Sequence, residues 1–286
     1  MTAPRQFKSE LVAVFGQPVA ENPTQCMVEA AFRDLGIDWR YLTIEVAPAD
    51  LADAIRGMRA MGFRGANCTI PHKVAVVQYL DELSPAVQAI GAVNCIVGQG
   101  NRLLGENTDG KGFLQSVQEV MPVKGKRAVI LGAGGAARAI GVELLRAGCA
   151  AITVVNRSRQ RGEELAAILN RVAPGQAALV AWQGDFAIPP GTDLLVNATS
   201  IGLFPDIDAR LPLKIDTLQP TTLVCDVIPN PPRTRLVRDA ESRGCRVLDG
   251  LGMLVNQGVI GIRLWTGLDP NPAVMRSALE EVFGSP

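Results

Sequence analysis

The 286-residue chain has little of several residue types, and each shortage excludes a class of protein. It contains one histidine, His72, so a His-rich metal site is excluded and a Ser-His-Asp triad would have to use that residue. Its six cysteines are scattered without a Cys-x-x-Cys pair, so we expect buried reduced thiols rather than structural zinc or a disulfide framework. The 28 basic and 28 acidic residues balance, which gives no electrostatic reason to expect a nucleic acid or an anionic membrane as partner.

Long apolar runs are also absent, since none approaches the ~20 residues that a membrane-spanning helix needs. The first ten residues carry charge, but the apolar block of a signal peptide does not follow them. We therefore predict a cytoplasmic protein without a membrane partner. At about 150 residues per domain, a chain of this length is expected to form two domains.

Strand and helix patterns alternate along the whole chain, which predicts an α/β fold. An N-terminal unit begins with the strand pattern LVAVFG and includes a helix for which Asp50 is a candidate N-cap. A second unit begins after Met121-Pro122, in the pattern of a doubly wound parallel sheet. The helical residues after the last strand are too numerous for a tail, and we expect them to pack back onto the first unit.

A glycine-rich turn at residues 129–139, VILGAGGAARA, lies directly after a strand pattern and directly before a helix pattern. It contains Gly132-x-Gly134-x-x-Ala137, in which glycines permit a tight turn and close approach to a pyrophosphate, and a small alanine permits close helix packing. The free N–H groups at the start of the helix attract phosphates. In this strand–turn–helix frame the motif predicts a dinucleotide site rather than a plain tight turn.

The end of the next strand indicates which dinucleotide is bound. An NAD site usually carries an acidic residue there, but this strand ends in residues 156–161, NRSRQR, without an acid. A solvated charge run is the alternative interpretation. However, arginine is disfavoured at the positive end of a helix, so an arginine cluster indicates a bound anion such as a 2′-phosphate. The sequence therefore predicts NADP.

Lys73 and Asp109 are candidates for acid/base chemistry. Lys73 is predicted to lie in a loop just after a strand, and Asp109 begins a helix. If a cleft brings them together, the carboxylate holds the ammonium, and the pair exchanges a proton with a substrate hydroxyl while hydride moves to nicotinamide. Taken singly, they are more simply a surface lysine and a helix-capping aspartate.

From Val14 to about Leu268 the chain resembles the shikimate dehydrogenase family, NADP-dependent enzymes that interconvert 3-dehydroshikimate and shikimate in aromatic amino acid biosynthesis. Seven motifs carry the resemblance in the family's order: NCTIPHK, GAVN, NTDG-x-GF, LGAGGAARA, NRS-x-x-R, NATS-x-G and DGLGMLVNQG. The resemblance implies an oxidoreductase that acts on a CH–OH group of a cyclic hydroxy acid. It also implies a substrate-binding and catalytic domain at residues 1–108, an NADP-binding Rossmann domain at 109–248, and C-terminal helices at 249–286 that pack on the first domain.

The resemblance also assigns roles to individual residues, none of them as a metal ligand. Lys73 is the implied acid/base and Asp109 its partner. The implied substrate residues are Asn22, Thr24, Asn67, Thr69, Asn94 and Gln257. The implied cofactor residues are Gly132, Ala133, Gly134, Gly135 and Ala136 at the pyrophosphate, Asn156, Arg157, Ser158 and Arg161 at the ribose phosphate, and Thr199, Val227 and Gly250 at the nicotinamide end.

Two substrate positions depart from the family pattern. The family holds the substrate carboxylate with Ser-x-Ser, where this chain has Asn22-Pro23-Thr24, and Glu21 replaces a residue that is commonly histidine. Amide and hydroxyl donors still permit anion binding, but Pro23 fixes the backbone between them. Pro229 stands where the family usually has a tyrosine, and it offers no side-chain donor.

We therefore predict an NADP-dependent dehydrogenase, monomeric or homodimeric, that acts on shikimate or a close cyclic polyol acid. One alternative is a paralogue that acts on quinate or an aminated analogue, with poor shikimate turnover. Another is a non-catalytic NADP-binding regulator, which would have no need for both Lys73 and Asp109.

Overall fold

The structure, a computed structural model, describes residues 7–283. The ends of the first and last predicted segments, residues 1–6 and 284–286, lie outside this range. Within it, no helix combines the length and the apolar character needed to cross a membrane.

The N-terminal unit is built on a six-stranded mixed sheet. Its strands are β1 (Glu10–Gly16), β2 (Trp39–Glu45), β3 (Gly65–Cys68), β4 (Glu82–Leu83), β5 (Cys95–Gln99) and β6 (Arg102–Glu106). They lie in the order β2-β1-β3-β5-β6-β4, with β1 parallel to both of its neighbours and β5 antiparallel to β3 and β6. Because β3 and β6 both oppose β5, their C-terminal ends lie at the same edge of the sheet.

Helices cover both faces of this sheet. They are α1 (Thr24–Asp34), α2 (Leu51–Ala60), the short α3 (His72–Ala75) and α4 (Pro85–Ile90), and α5 (Asp109–Gln118) leads out of the sheet. Side chains of β1 alternate between the faces: Val12 and Val14 pack in the core beside α1, and Ala13 and Phe15 pack in the core beside α2. The apolar run that predicts β1 is therefore explained by burial on two sides.

The second unit is a six-stranded, fully parallel sheet. Its strands are β7 (Arg127–Leu131), β8 (Ala151–Asn156), β9 (Ala177–Ala181), β11 (Leu194–Asn197), β13 (Leu223–Asp226) and β14 (Arg246–Leu248), while β10 (Phe186–Ala187) and β12 (Leu213–Lys214) pair separately. Its helices are α6 (Gly135–Arg146), α7 (Arg159–Val172) and α8 (Arg235–Ser242). The order β14-β13-β11-β7-β8-β9 reverses direction between β7 and β11, and a crevice at such a switch point is where doubly wound sheets bind ligands.

The last two helices, α9 (Gly250–Thr266) and α10 (Pro272–Phe283), return to the N-terminal unit. Met275 and Leu279 of α10 share one core with Met27 of α1. Trp265 of α9 donates a hydrogen bond from Nε1 to the carbonyl of Ile96, at 2.9 Å. The α/β prediction with a Rossmann-type parallel sheet is confirmed, and the divisions at 108/109 and 248/249 stay predictions.

Three local predictions are wrong. Asp50 precedes α2 but makes no capping hydrogen bond, because residues 48–50 form a 3₁₀ turn. Lys73 lies on α3 rather than in a loop, since one helical turn follows Pro71. Cys26 is exposed on α1, whereas the other five cysteines are buried, and all six are free thiols.

Candidate active site

Lys73 and Asp109, separated by 36 residues, meet at the edge of the first sheet. α3, which carries Lys73, follows β3, and α5, which begins at Asp109, follows β6, so the common direction of these strands brings the two side chains together. Lys73 Nζ lies 2.6 Å from Asp109 Oδ2, and the side chains are 19% and 8% exposed. A short, charge-assisted hydrogen bond in a largely buried position fixes both groups.

Asn94 orients the Asp109 carboxylate. It precedes β5, which runs opposite to β3 and β6, so it lies at the same edge of the sheet. Asn94 Nδ2 donates to Asp109 Oδ1 at 2.9 Å, and Asn94 Oδ1 accepts from the Thr108 N–H at 2.7 Å. The Thr108 hydroxyl donates to Gln257 Oε1 on α9, at 3.3 Å. Both carboxylate oxygens of Asp109 are therefore held, one by Lys73 and the other by a network that reaches α9.

Asn67 is fixed by two buried hydrogen bonds. Its Nδ2 donates to the carbonyl of Asn94 at 3.0 Å, and its Oδ1 accepts from the Tyr41 hydroxyl at 2.7 Å. Burial raises the pKa of Tyr41 well above its usual value, so the phenol stays protonated and donates. The Thr69 methyl packs where a Cβ on Gly16 would lie, and no described residue bonds the Thr69 hydroxyl.

The loop at Asn22 uses part of its own hydrogen-bonding capacity. Asn22 Oδ1 accepts from the Thr24 N–H at 3.0 Å, at the start of α1, and Thr24 is 4% exposed. The loop follows β1, which runs parallel to β3, so it lies at the same edge as Lys73. Asn22 also borders a separate cavity of about 750 Å³ between α1, β2 and α10, whose lining includes neither Lys73 nor Asp109.

The glycine turn after β7 presents bare backbone. Gly132 has a φ of 103°, and a Cβ there would lie 2.8 Å from the carbonyl oxygen of Ala198, so only glycine fits. Gly134 caps α6 without a side-chain hydrogen bond, and nothing lies within 4 Å of the position of its missing Cβ. The first N–H groups of α6, from Gly135 and Ala136 onward, therefore lack a side-chain cap and fit a pyrophosphate.

This turn lies beside the acid/base pair. A Cβ on Gly135, the first residue of α6, would lie 3.3 Å from Lys73 Cδ, so the stem of the lysine packs on the start of the helix. The glycine turn of the second unit and the Lys73 side chain of the first are therefore in contact.

Two arginines close to the C-terminal end of β8 pair with no carboxylate in the described part of the chain. Arg159 is paired with Glu163 at 2.8 Å, whereas Arg157 and Arg161 are exposed and have no acidic group within 4.0 Å among the described residues. The Ser158 hydroxyl accepts from the N–H of Arg161 and caps α7, and Asn156 Nδ2 donates to the carbonyl of Ser158 at 2.8 Å. Two of the three arginines in the predicted cluster thus fit a 2′-phosphate.

The predicted nicotinamide-end residues lie at the C-terminal edge of the same sheet. Thr199 follows β11, Val227 follows β13, and Gly250 begins α9. The backbone of Gly250 packs on the carbonyl of Ile228, with which a Cβ would overlap.

His72, the single histidine, has a structural contact: its buried ring places Nε2 2.8 Å from the carbonyl oxygen of Val46. Residues 7–283 contain no cluster of three or more metal-ligating side chains.

Comparison with known proteins matches this arrangement to one family. Three family models match: the shikimate dehydrogenase substrate binding domain over residues 14–96, shikimate/quinate 5-dehydrogenase over 115–180, and the shikimate 5′-dehydrogenase C-terminal domain over 250–280. A shikimate dehydrogenase (NADP(+)) from Moorella thermoacetica is 44% identical over 280 residues, which cover 96% of this chain and 94% of that protein. The chain belongs to the shikimate dehydrogenase family. It is an NADP-dependent oxidoreductase that acts on a CH–OH group.

Two solved structures of the family bear on its substrate. Shikimate 5-dehydrogenase from Thermus thermophilus, in complex with NADP(H) and shikimate, is 37% identical with a TM-score of 0.84, over 95% of this chain and 99% of that one. 5-Ketofructose reductase from Gluconobacter sp. strain CHM43 is 50% identical with a TM-score of 0.89, over 97% of this chain and 100% of that one. The family fold therefore carries more than one substrate specificity.

In this family member, sequence patterns missed several residues that orient the site. Tyr41 stands in the strand pattern WRYLTIEV and is indistinguishable there from an ordinary core aromatic. Thr108 stands within the motif NTDG-x-GF, but its contact with Gln257 spans 149 residues, and no local pattern reports such a distance.

A buried polar network beneath the nicotinamide-end residues was also missed. Asp226, 2% exposed, ends β13 and accepts hydrogen bonds from Asn197, Thr234 and the Ile228 N–H. Burial raises the pKa of Asp226 to about 6, against the lowering effect of these donors. The motif NATS-x-G included Asn197, but nothing in the sequence pointed to its partner on the neighbouring strand.

Proposed function

We propose that this enzyme reduces the ketone of a neutral polyhydroxylated substrate with NADPH, and catalyses the reverse oxidation, through Lys73 and Asp109. The observation that carries the proposed chemistry is the 2.6 Å contact between Lys73 Nζ and Asp109 Oδ2 beside the start of α6. A purely structural ion pair would not need a phosphate-binding helix against the lysine stem.

In the proposed reduction, the Lys73 ammonium donates a proton to the ketone oxygen. Bound NADPH supplies the hydride that the carbonyl carbon accepts. Asp109 keeps the ammonium aimed at the oxygen, and Asn94 keeps the carboxylate from rotating. Lys73 then regains a proton from solvent. In the oxidation, the lysine accepts the hydroxyl proton instead.

The loop at residues 21–24 supports a substrate without a carboxylate. Of the hydroxyls with which the family holds that group, only the one on Thr24 is present, since Asn22 and Pro229 replace a serine and the tyrosine. Asn22 Oδ1 accepts from the Thr24 N–H, which leaves the amide Nδ2 as the donor in place of a serine hydroxyl, and the exposed Glu21 carboxylate beside it adds a negative charge that disfavours an anion. Each lost hydrogen bond to a charged ligand costs about 1.5–3 kcal/mol, or roughly ten- to hundredfold in affinity.

The remaining polar side chains suit a neutral polyol. Asn67, Thr69 and Gln257 supply amide and hydroxyl groups that can both donate to and accept from substrate hydroxyls, while Asn94 holds Asp109. The 50% identity to 5-ketofructose reductase supports the same class, because 5-ketofructose is a polyhydroxylated diketone without a carboxylate. We therefore take 5-ketofructose as the representative substrate.

A second candidate is the interconversion of 3-dehydroshikimate and shikimate. It is favoured by curated relatives named shikimate dehydrogenase at 37–44% identity and by the hydroxyl of Thr24, which can still donate to a carboxylate. Quinate and aminated analogues carry the same carboxylate and depend on the same loop. A non-catalytic regulator would bind NADPH without turnover.

Steady-state NADPH consumption by the purified protein, with 5-ketofructose and 3-dehydroshikimate in separate reactions, tests the proposal. We expect kcat/KM for 5-ketofructose to exceed that for 3-dehydroshikimate by at least about tenfold, the value of one charged hydrogen bond. The reverse preference would contradict the neutral substrate and support the second candidate. Tight NADPH binding without turnover of either ketone, of 3-dehydroquinate or of aminated analogues would overturn both enzymatic functions.

A further inference from the structure

Asp226 and Asn197 form a sealed polar pair between two adjacent strands. They are register partners at the C-terminal ends of β13 and β11, 2% and 0% exposed. Asn197 Nδ2 lies 3.0 Å and 3.1 Å from the two carboxylate oxygens of Asp226. The other donors are the Thr234 hydroxyl, 2.7 Å from Oδ2, and the Ile228 N–H, 3.1 Å from Oδ1. Both oxygens of the carboxylate therefore accept hydrogen bonds from donors within the protein.

This pair shapes three segments that line the cofactor edge. Asn197 Oδ1 accepts from both the N–H and the hydroxyl of Thr199, at 3.1 Å and 2.7 Å, and so fixes the turn after β11. The Thr199 methyl lies 3.1 Å from the position that a Cβ on Gly132 would take, in the glycine turn. On the other side, Ile228, held through its N–H by Asp226, supports the backbone of Gly250 at the start of α9.

The hydrogen bonds around Asp226 favour its anion, against the effect of burial. Three uncharged groups face Asp226. They are Asn197 Nδ2 on β11, the Ile228 N–H in the loop after β13, and the hydroxyl of Thr234, the N-cap of α8. The titratable neighbour on its own strand is Cys225, whose thiol pKa is raised by burial and by the Asp226 carboxylate. The amide N–H of Asn197 and the backbone N–H of Ile228 cannot accept a hydrogen bond, so the hydroxyl of a protonated Asp226 would have only the Thr234 hydroxyl as an acceptor.

We propose that Asp226, as an anion, is the positioning residue for the nicotinamide end of the cofactor: by holding Asn197, Ile228 and Thr234 it sets the turns that carry Thr199, Val227 and Gly250. The inference rests on the proposed orientation of NADP(H) along this edge but not on the identity of the substrate. Because burial raises the pKa of Asp226 to about 6, its anionic form declines in mildly acidic solution.

The test compares two ligands that share the adenosine half. NADPH contains nicotinamide, whereas 2′-phospho-ADP-ribose keeps the same pyrophosphate and 2′-phosphate but lacks the nicotinamide ring. We would measure the dissociation constants of both by fluorescence or calorimetry, across the pKa of Asp226, for four proteins: wild type, Asp226→Asn, Thr234→Val and Thr234→Ser. We divide the dissociation constant of 2′-phospho-ADP-ribose by that of NADPH, so a large ratio means that the nicotinamide end contributes to binding. Titration of the shared 2′-phosphate cancels from this ratio.

For the wild type we expect NADPH to bind more tightly than 2′-phospho-ADP-ribose, with a ratio that falls as the pH drops through about 6. Asp226→Asn turns an amide toward donors, and we expect it to reduce the ratio about tenfold at every pH, without the pH step. Thr234→Val removes one donor, so the step should move to higher pH because the carboxylate loses a stabilising hydrogen bond. Thr234→Ser keeps the hydroxyl and should behave as wild type.

At each pH, the affinity for 2′-phospho-ADP-ribose should stay within about twofold among the four proteins. If Asp226→Asn does not fold, the valine and serine variants at 234 carry the comparison alone. Three results would each overturn the proposal. Thr234→Val could show the same ratio and pH dependence as the wild type, the ratio of the wild type itself could be near one, or a variant could lose affinity equally for both ligands. Failure of the substrate experiment would leave these binding ratios unaffected, so the two proposals fail separately.

Discussion

Single side chains in this enzyme gain their chemistry from partners far away in the sequence. The types and positions of Lys73 and Asp109 could be predicted, because a lysine and an aspartate stand at the ends of strand patterns within family motifs. Their 2.6 Å contact and the support from Asn94 depend on the antiparallel insertion of β5 between β3 and β6, which hydrophobic periodicity does not report. The loop at Asn22 was recognised as unusual, but its hydrogen bond to the Thr24 N–H was not foreseen.

Removing the Lys73 ammonium should abolish proton transfer while leaving the phosphate cradle in place. We expect Lys73→Ala to lower kcat by about 10²–10⁴-fold, the usual contribution of general acid–base catalysis, with little change in the dissociation constant of NADPH. Steady-state kinetics and fluorescence titration measure the two quantities. Lys111→Ala, an exposed lysine of α5 near the same site, is the control and should keep wild-type turnover. Full activity in Lys73→Ala would show that another group moves the proton.

The unpaired arginines at the end of β8 should discriminate NADPH from NADH. We expect Arg157→Ala or Arg161→Ala to raise the KM for NADPH by about ten- to hundredfold, because a charge-assisted hydrogen bond to the 2′-phosphate is lost, and to leave the KM for NADH unchanged. The matched control is Arg159→Ala, whose guanidinium is already bonded to Glu163. An equal rise for both cofactors, or the same effect from the control, would contradict the role of the cluster.

At the scale of elements, most long helices and buried strands could be predicted, whereas several of the shortest elements could not. The pattern AITVVN predicts β8, and the observed strand covers the same residues, Ala151–Asn156. β10 and β12 have two residues each and α4 has six, which is too short for periodicity to register. The close fit of α9 to the first sheet was also missed, because it depends on the absence of a Cβ at Gly65 rather than on any pattern in α9.

The contact between α9 and β3 should be sensitive to a single methyl group. A Cβ on Gly65 would overlap the indole of Trp265 and the carbonyl of Ile96, which also share a hydrogen bond. We expect Gly65→Ala to lower the free energy of unfolding by at least about 2 kcal/mol through overpacking and loss of that bond. Denaturant unfolding followed by tryptophan fluorescence measures the change.

The control for this substitution lies inside α2. A Cβ on Gly57 would make an ordinary 3.6 Å contact with the flexible Met61 side chain, so Gly57→Ala should stabilise the protein by about 0.5–1 kcal/mol through helix propensity. Equal stability of the two variants would show that α9 does not approach the sheet this closely.

At the scale of the whole molecule, two sheets present their ligand-binding edges to each other. One edge carries Lys73 and Asp109, the other carries the glycine turn, and Gly135 joins them. Family membership and cofactor could be predicted because both depend on local motifs, and both are confirmed. The substrate could not be predicted in the same way, because our proposal for it depends on three positions, Asn22, Thr24 and Pro229, that differ from the usual family residues.

The central claim is that this family architecture here acts on a neutral polyhydroxylated ketone. Its most direct test is a single reaction that contains equal concentrations of 5-ketofructose and 3-dehydroshikimate with limiting NADPH. The ratio of the two reduced products at low conversion equals the ratio of the two kcat/KM values, independently of enzyme concentration. We predict that the reduced sugar exceeds shikimate by at least about tenfold, the contribution of one hydrogen bond to a carboxylate. An excess of shikimate would contradict the account.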